Sequence, residues 1–302
     1  MRAILIAISK ILFTTFTVAT ITFFLLQLIP GGPFSGDKNL PPQIIANLKA
    51  KYHLNEPVFK QYILYMNNLF HGDFGPSLKY VNRSVSEILL SSMPISFILG
   101  GLALLVSIPI GLLFGISSAV LNKKLSGSLL IILITIGISL PNFLIAAILI
   151  NLFALKLKIL PVALWESPAH MILPVITLSF MPAAYIARIT RTQMIEQLSE
   201  EYIKVALAKG LTLRDIVLKH AFKNCLISII TILGPIIAIL ITGSFVVEFI
   251  FAIPGMGRHF ITAFTNRDYF LITGTAVTFS FILTTLNVMI DGVYKKIDPR
   301  MN

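Results

Sequence analysis

Few side chains in this chain are spaced to do chemistry, and the densest group lies in one stretch, Glu201-Tyr202-Ile203-Lys204-Val205-Ala206-Leu207-Ala208-Lys209-Gly210. Charges at helical spacing, small alanines on one face and a closing glycine suit docking rather than bond-making. A second amphipathic stretch, Thr212 to Asn224, follows at once and carries Arg214, Lys219, His220 and Lys223. The arrangements that make enzymes are missing. No G-x-x-x-x-G-K-[ST] occurs, so the chain has no P-loop for ATP. There is no H-E-x-x-H and no G-x-S-x-G. His53, His71, His170, His220 and His259 are scattered, and no metal-ligating set is expected from them. A single cysteine, Cys225, excludes an intrachain disulfide and argues against a cysteine-based metal site.

The docking stretch has a readable local logic. Glu201 to Lys209 is helical, and Gly210 suits a left-handed position at the helix C-terminus. Lys204 and Lys209 lie late in that helix, where its dipole favours cations. Thr212 caps the next helix, with Asp215 three residues on in a capping-box relation. Leu213, Ile216, Val217, His220 and Ala221 are expected on one face of it, and Arg214, Lys219 and Lys223 on others. Neither helix is long enough to stand alone in water. Each must pack on something, and the residues alone leave two surfaces open: a groove on a partner protein, or the bilayer interface.

The elements that hold this stretch are membrane spans. Of 302 residues 56% are hydrophobic and 12% charged, and the mean hydropathy is +0.88, values of an integral membrane protein. Six apolar runs of membrane length are expected as helices: Ile11–Ile29, Ile95–Leu121, Leu129–Leu155, Met171–Ala187, Cys225–Val247 and Tyr269–Ile290. None alternates polar and apolar residues as a barrel strand would. The first run is longer than a signal-peptide core and no A-x-A site follows, so it reads as an uncleaved anchor. Arg2, Lys10, Lys123, Lys124, Lys295, Lys296 and Arg300, with the basic residues after the fourth span, fall on one side, assigned to the cytoplasm together with both termini. The net charge of +11 then records topology. No basic run is interleaved with aromatics, which argues against a nucleic-acid partner.

Four regions are expected: an anchor helix at 1–29, an outward helical cap at 30–94, a five-helix core at 95–291 with the docking loop at about 199–224, and a tail at 292–302. Within the cap, residues 43–52, 57–70 and 84–92 have helical spacing. Gly111 and Gly115 form a G-x-x-x-G that allows close helix approach. Pro109, Pro141, Pro174, Pro182 and Pro235 are expected to bend or locally unwind their spans. Span interiors contain no acid, base or histidine, which argues against a proton- or ion-coupled carrier. Glu248 and Asp291 are read as interfacial carboxylates at span ends. Any pathway must then be weakly polar, with Ser139, Asn142, Asn151, Ser179, Ser244 and Asn287 as candidates beside Thr242, Thr284 and Thr285.

Tyr202-Ile203-Lys204-Val205-Ala206-Leu207-Ala208-Lys209-Gly210-Leu211, continuing through His220-Ala221-Phe222-Lys223-Asn224, resembles the EAA-type loop of ABC importer permeases, in the form found in the dipeptide/oligopeptide/nickel group. Lys204 stands where the general pattern has an acid, and Lys223 where it has a proline; both departures match the peptide-permease variant. Leu28 to Pro33, His53 to Val58 with Gln61-Tyr62, Gly72 to Ser77, Phe251 to Arg258 and Asp298-Pro299-Arg300 are similar to further elements of that group, in the same order. Gly32 replaces a usual acid in the first of these.

The resemblance implies an all-α integral membrane protein of type I ABC importer fold, with six transmembrane helices and the small extracytoplasmic segment between the first two. It implies the B-type permease subunit of an oligopeptide system in the bacterial inner membrane. The subunit would be non-catalytic, without a cofactor of its own. A homologous second permease, two cytoplasmic ATPases that bind the ATP, and an extracytoplasmic binding protein would be its partners. Glu201, Tyr202, Lys204, Ala206, Ala208, Lys209, Gly210, Leu211, Arg214 and His220 would then belong to the ATPase-coupling loop. Pro254, Gly255, Arg258 and Arg267 would meet the binding protein. Cargo in this group includes oligopeptides, dipeptides, glutathione and nickel chelates. A stand-alone carrier or channel, and a structural membrane protein, are the readings from other classes.

Overall fold

The computed structural model describes residues 2–30, 32–34, 41–80, 82–122 and 124–297. Gly31, Asp37, Lys123 and the Asp298-Pro299-Arg300 element lie outside them, as do the side chains of Arg2, Lys295 and Lys296. Among the described residues there is no strand, only an isolated bridge between Pro76 and Ser84. An all-helical chain follows from its solvent, because a backbone in hydrocarbon must satisfy its own hydrogen bonds.

The helices are α1 (Arg2–Gln27), α2 (Pro42–Lys51), α3 (Val58–Phe70), α4 (Val85–Val120), α5 (Leu125–Ser139), α6 (Asn142–Leu149), α7 (Pro168–Ser199), α8 (Glu201–Ala208), α9 (Leu213–Asp215), α10 (Phe222–Thr242), α11 (Phe245–Ile250), α12 (Met256–Asn266) and α13 (Tyr269–Ile297). Two π-helical stretches, Ile150–Lys156 and Ile216–Ala221, continue α6 and α9. Segments Leu5–Gln27, Val85–Val120, Pro168–Ser199, Ser228–Ile250 and Tyr269–Val293 are each long and apolar enough to cross a membrane. With α5 and the stretch Asn142–Lys156 taken as one bent span, the count among the described residues is six.

Three expectations change. The run Leu129–Leu155 is not one straight helix: α5 and the α6 stretch meet at 108°. Pro141 lacks an N–H and pushes Leu140 out of helical geometry, to φ −83°, ψ 125°. The small helix expected at 84–92 is not separate either. It runs through Pro94 into the second span as the 36-residue α4. The fifth span is interrupted at Gly243, whose φ of 109° ends α10 before Ser244 caps α11. By contrast, Pro174, Pro182 and Pro235 sit inside continuous helices.

The contacts divide the chain into two units. The first comprises 1–96 and 254–288. Its core joins Ala19 of α1, Tyr65 and Met66 of α3 and Val277 of α13. Phe23 stacks on Tyr65 at 5.6 Å, and Thr20 shares a hydrogen bond of 2.9 Å with Tyr62. Asp268, fully buried, is held by donors: the Ser77 hydroxyl, the Leu78 N–H at 3.2 Å and the Leu271 N–H at 3.2 Å. A buried carboxylate persists only with such partners.

The second unit comprises 97–253 and 289–302. There α4 lies close on α7. A Cβ at Gly111 would come within 2.7 Å of the Ala183 carbonyl, and one at Gly115 within 2.6 Å of the Thr190 Cβ. The G-x-x-x-G spacing thus serves the close approach that small residues permit in membranes. Large apolar side chains such as Leu105 and Leu113 remain outward, as on helices solvated by lipid.

Candidate functional site

The stretch from α8 to the start of α10 forms a knob with a buried root and an exposed crown. Ile203 and Ala206 of α8 are buried, and so are Ile216, Val217, Ala221 and Cys225. They form one cluster with Ala119 of α4, Met194 of α7 and Ile229 of α10. The crown carries Glu201, Lys204, Ala208, Lys209, Arg214 and His220, all exposed, between the exposed apolar side chains of Val205, Leu207, Leu211, Leu213 and Leu218. Apolar groups interleaved with cations on a protruding surface suit contact with another protein.

Gly210 shapes the crown. Its φ is +81°; its N–H donates to the Leu207 carbonyl at 2.9 Å, and the next N–H, of Leu211, donates to the Ala206 carbonyl at 3.3 Å. This pair of bonds is the Schellman arrangement, which a glycine in left-handed geometry completes without a Cβ penalty. Thr212 then restarts the helix. Its Oγ accepts from the Asp215 N–H at 3.2 Å and donates to the Asp215 carboxylate at 2.6 Å. Lys219 pairs with the same carboxylate at 2.6 Å. The Lys219 ammonium and the Thr212 hydroxyl hold the Asp215 carboxyl below the usual carboxylate range.

The face expected for this helix is only partly right. Ile216, Val217 and Ala221 are buried, but Leu213 and His220 face outward. The π-helical turn is the reason: the Phe222 N–H reaches the Val217 carbonyl, five residues back, and the wider turn changes which side chains share a face.

Tyr202 joins the knob to its supports. Its phenol donates to Gln197 of α7 at 2.8 Å and accepts from the Asn224 amide of α10 at 3.1 Å. One turn back, the Ser228 hydroxyl donates to Gln193 at 2.9 Å. Sequence reading did not single out Gln193 and Gln197; their i, i+4 spacing on one face of α7 was the available signal.

The pathway candidates scatter. Ser139 and Asn142 flank the bend at Pro141. The Ser139 hydroxyl donates to the Thr135 carbonyl at 2.8 Å, while the Asn142 Oδ1 is buried without a partner. Asn151 is exposed on the first π-helical stretch. Ser179 is buried in α7 and donates to Ile176 at 3.0 Å. Ser244 caps α11, accepting from the Val247 N–H at 3.3 Å. Asn287 is half-buried on α13 in the other unit. Glu248, read as interfacial, is fully buried instead and accepts from the Ser244 N–H at 3.2 Å. Reciprocal capping with Ser244 gives that carboxylate a place inside.

In the first unit, Pro254 is exposed, Gly255 is buried at the start of α12, and Arg258 is half-buried one turn on. Arg267 ends α12 in left-handed geometry, and its guanidinium donates to the carbonyls of Pro30 at 3.0 Å and Gly32 at 3.4 Å. Among the described residues no three His, Cys, Asp or Glu side chains gather as metal ligands.

Five apolar helices of membrane length among the described residues, a bent pair and a capped helical knob make this a multi-pass helical membrane protein. Comparison with known proteins gives the family. Residues 107–302 match the binding-protein-dependent transport system inner membrane component, and residues 1–97 match the N-terminal part of such membrane components. The chain belongs to this family of transport permeases. It is 42% identical over 288 residues to the dipeptide transport system permease protein DppB of Bacillus subtilis, covering 95% of this chain and 94% of that one. It is 40% identical to the oligopeptide transport system permease proteins OppB of Haemophilus influenzae and Escherichia coli, with 95% of each chain covered. The fold is similar to that of the inward-facing MetNI methionine ABC transporter, with a TM-score of 0.51 at 17% identity over 71% of this chain and 96% of that one.

Proposed function

We propose that this chain is the permease subunit of an ATP-driven importer of oligopeptides or dipeptides, with its knob seated in a groove on a separate ATPase. A homologous second permease completes the membrane pathway. Two ATPases bind and hydrolyse the ATP, and this chain holds no cofactor itself. An extracytoplasmic binding protein delivers cargo to the 30–94 segment and the loop around Pro254 to Arg258. Both termini and the knob lie in the cytoplasm. ATPase closure moves the knob and tilts the spans between two states, with the bistable element in the membrane.

The observation that carries this reading is the knob's construction. Ile203 and Ala206 root α8 in the bundle while Val205, Leu207 and Leu211 stand exposed around Lys204 and Lys209. Such a helix is rigid toward the membrane and unpartnered on its other side. The names of the relatives supply the cargo class. Purification of the complex from its native membrane tests the whole: two ATPases should co-purify, and peptide uptake into liposomes should stop without ATP. Uptake by this chain with no ATPase attached would overturn the proposal.

A further inference from the structure

A groove of about 380 Å³ lies between α5 and α7. Arg188, Arg191 and Thr192 line it from α7, and Thr135 and Ser139 from α5, over an isoleucine floor. Arg188 sits one turn beyond a close contact of α5 with α7, where a Cβ on Gly137 would meet Ala184 at 2.7 Å. Both arginines lie just past the apolar run Met171–Ala187, on the face of the membrane that the proposed topology places in the cytoplasm.

The groove is cationic and unsatisfied. Among the described residues neither guanidinium pairs with a carboxylate. Arg191 donates to the Asn122 side chain at 2.6 Å, but its Nε is buried without a partner. Arg188 is exposed. The hydroxyls have the opposite character. Thr135 donates to the Ile131 carbonyl at 2.9 Å, Ser139 to the Thr135 carbonyl at 2.8 Å and Thr192 to the Arg188 carbonyl at 3.1 Å. With their protons engaged in their own helices, these oxygens offer only lone pairs to the groove.

Two guanidinium donors beside three neutral acceptors match a ligand that carries an oxyanion next to N–H groups. The C-terminal end of a peptide is such a ligand: a carboxylate, which arginine takes through paired N–H bonds, and backbone amides that need acceptors. A phosphatidylethanolamine headgroup also sets N–H groups near an oxyanion, but its N–H groups belong to a cation that the two guanidiniums repel, whereas the amide N–H groups of a peptide are neutral. We infer that this groove binds the C-terminal carboxylate of peptide cargo, with Arg188 and Arg191 on the carboxylate and the hydroxyl oxygens accepting from its last N–H groups. The inference rests on the peptide-import reading. It accounts for recognition that ignores side chains, because every linear peptide presents the same end.

The test uses the complete complex in liposomes, with a tetrapeptide and the same peptide bearing a C-terminal amide. The ratio of free-acid to amide uptake is measured for wild type, Arg188→Gln and Arg188→Gln/Arg191→Gln. The binding protein contributes the same factor throughout, so the change in ratio isolates this chain. The ratio should fall by about tenfold in the double variant and by less in the single one. Arg188→Lys, which keeps the charge but loses the fork, should fall between wild type and Arg188→Gln. Because Arg188 is exposed, its single variants test the site even if loss of the Arg191–Asn122 bond unfolds the double variant. An unchanged ratio would overturn the inference. So would an equal loss of both uptakes that disappears in liposomes of phosphatidylcholine alone, which assigns the groove to an acidic or ethanolamine headgroup. A wild-type complex that imports neither form overturns the peptide reading, and this assignment with it.

Discussion

The Asn224 amide donates to the Tyr202 phenol at 3.1 Å, and through that oxygen α8 is tied to α10 on one side and, via Gln197 at 2.8 Å, to α7 on the other. The Tyr202 oxygen thus joins α8 to two spans, beside the apolar cluster that roots it on Met194 of α7 and Cys225 of α10. Both bonds lie at the surface, so their worth to folding is small.

Tyr202→Phe removes both bonds and little packing. Stability of the purified complex should fall by about 1 kcal/mol or less, while the uptake obtained per ATP hydrolysed drops severalfold. Paired uptake and hydrolysis assays on the same liposomes check this; an unchanged ratio would show that the phenol carries no coupling.

At Gly210 the obstacle to a side chain is backbone geometry rather than space, since an added Cβ would meet nothing within 4 Å. Asn, which tolerates left-handed φ, should be accepted with slight loss. Ala should cost about 1–2 kcal/mol, and Val more. Membrane insertion should be equal for all three, with uptake declining in that order. A Val variant as active as the Asn variant would contradict the geometric account.

Ile216 roots the knob and is fully buried. Ile216→Ala should destabilise the complex by about 2–5 kcal/mol, visible as a lower thermal midpoint. Leu213→Ala, on the exposed crown, should leave the midpoint in place and weaken ATPase retention instead. A reversal of these two effects would mean that the root and the crown have been misassigned.

Burial, and then the Arg258 and Arg83 charges, push the His259 imidazole below its ordinary value of 6.5. The ring packs edge-on against Tyr80 at 6.0 Å, with its Nδ1 buried and unpartnered. The fold therefore favours the neutral ring. Stability from this site is complete above the unfolded value and declines as pH falls below about 6.5. Asp215, also depressed, behaves differently: its contribution persists until the pH drops below the ordinary carboxylate value of 3.8. Thermal midpoints measured from pH 8 to pH 5 should thus show a decline that His259→Gln flattens and Asp215→Asn does not.

Local backbone rules were legible in the chain wherever one residue type decides the geometry. Gly210 takes the left-handed position, Thr212 caps, and Gly111 with Gly115 admits α7, each as its chemistry dictates. Hydropathy found the spans but not their directions, because the apolar run across Pro141 has the same composition straight or bent. The burial of Glu248 and Asp268 was hidden for a related reason: a carboxylate's cost depends on donors, and these come from Ser244 and from the distant Ser77 and Leu78. The π-helical turns have no residue signature of their own, so the outward placement of Leu213 and His220 could only be seen in three dimensions.

Those six residues from Ile216 to Ala221 hold one residue more than the same stretch would at ordinary α-helical pitch. The extra residue turns the segment around Arg214 by about 100° about the helix axis relative to where an unbroken α-helix would set it. The heading of the handle is thus written into the backbone, with Ile216 and Ala221 locked beneath it.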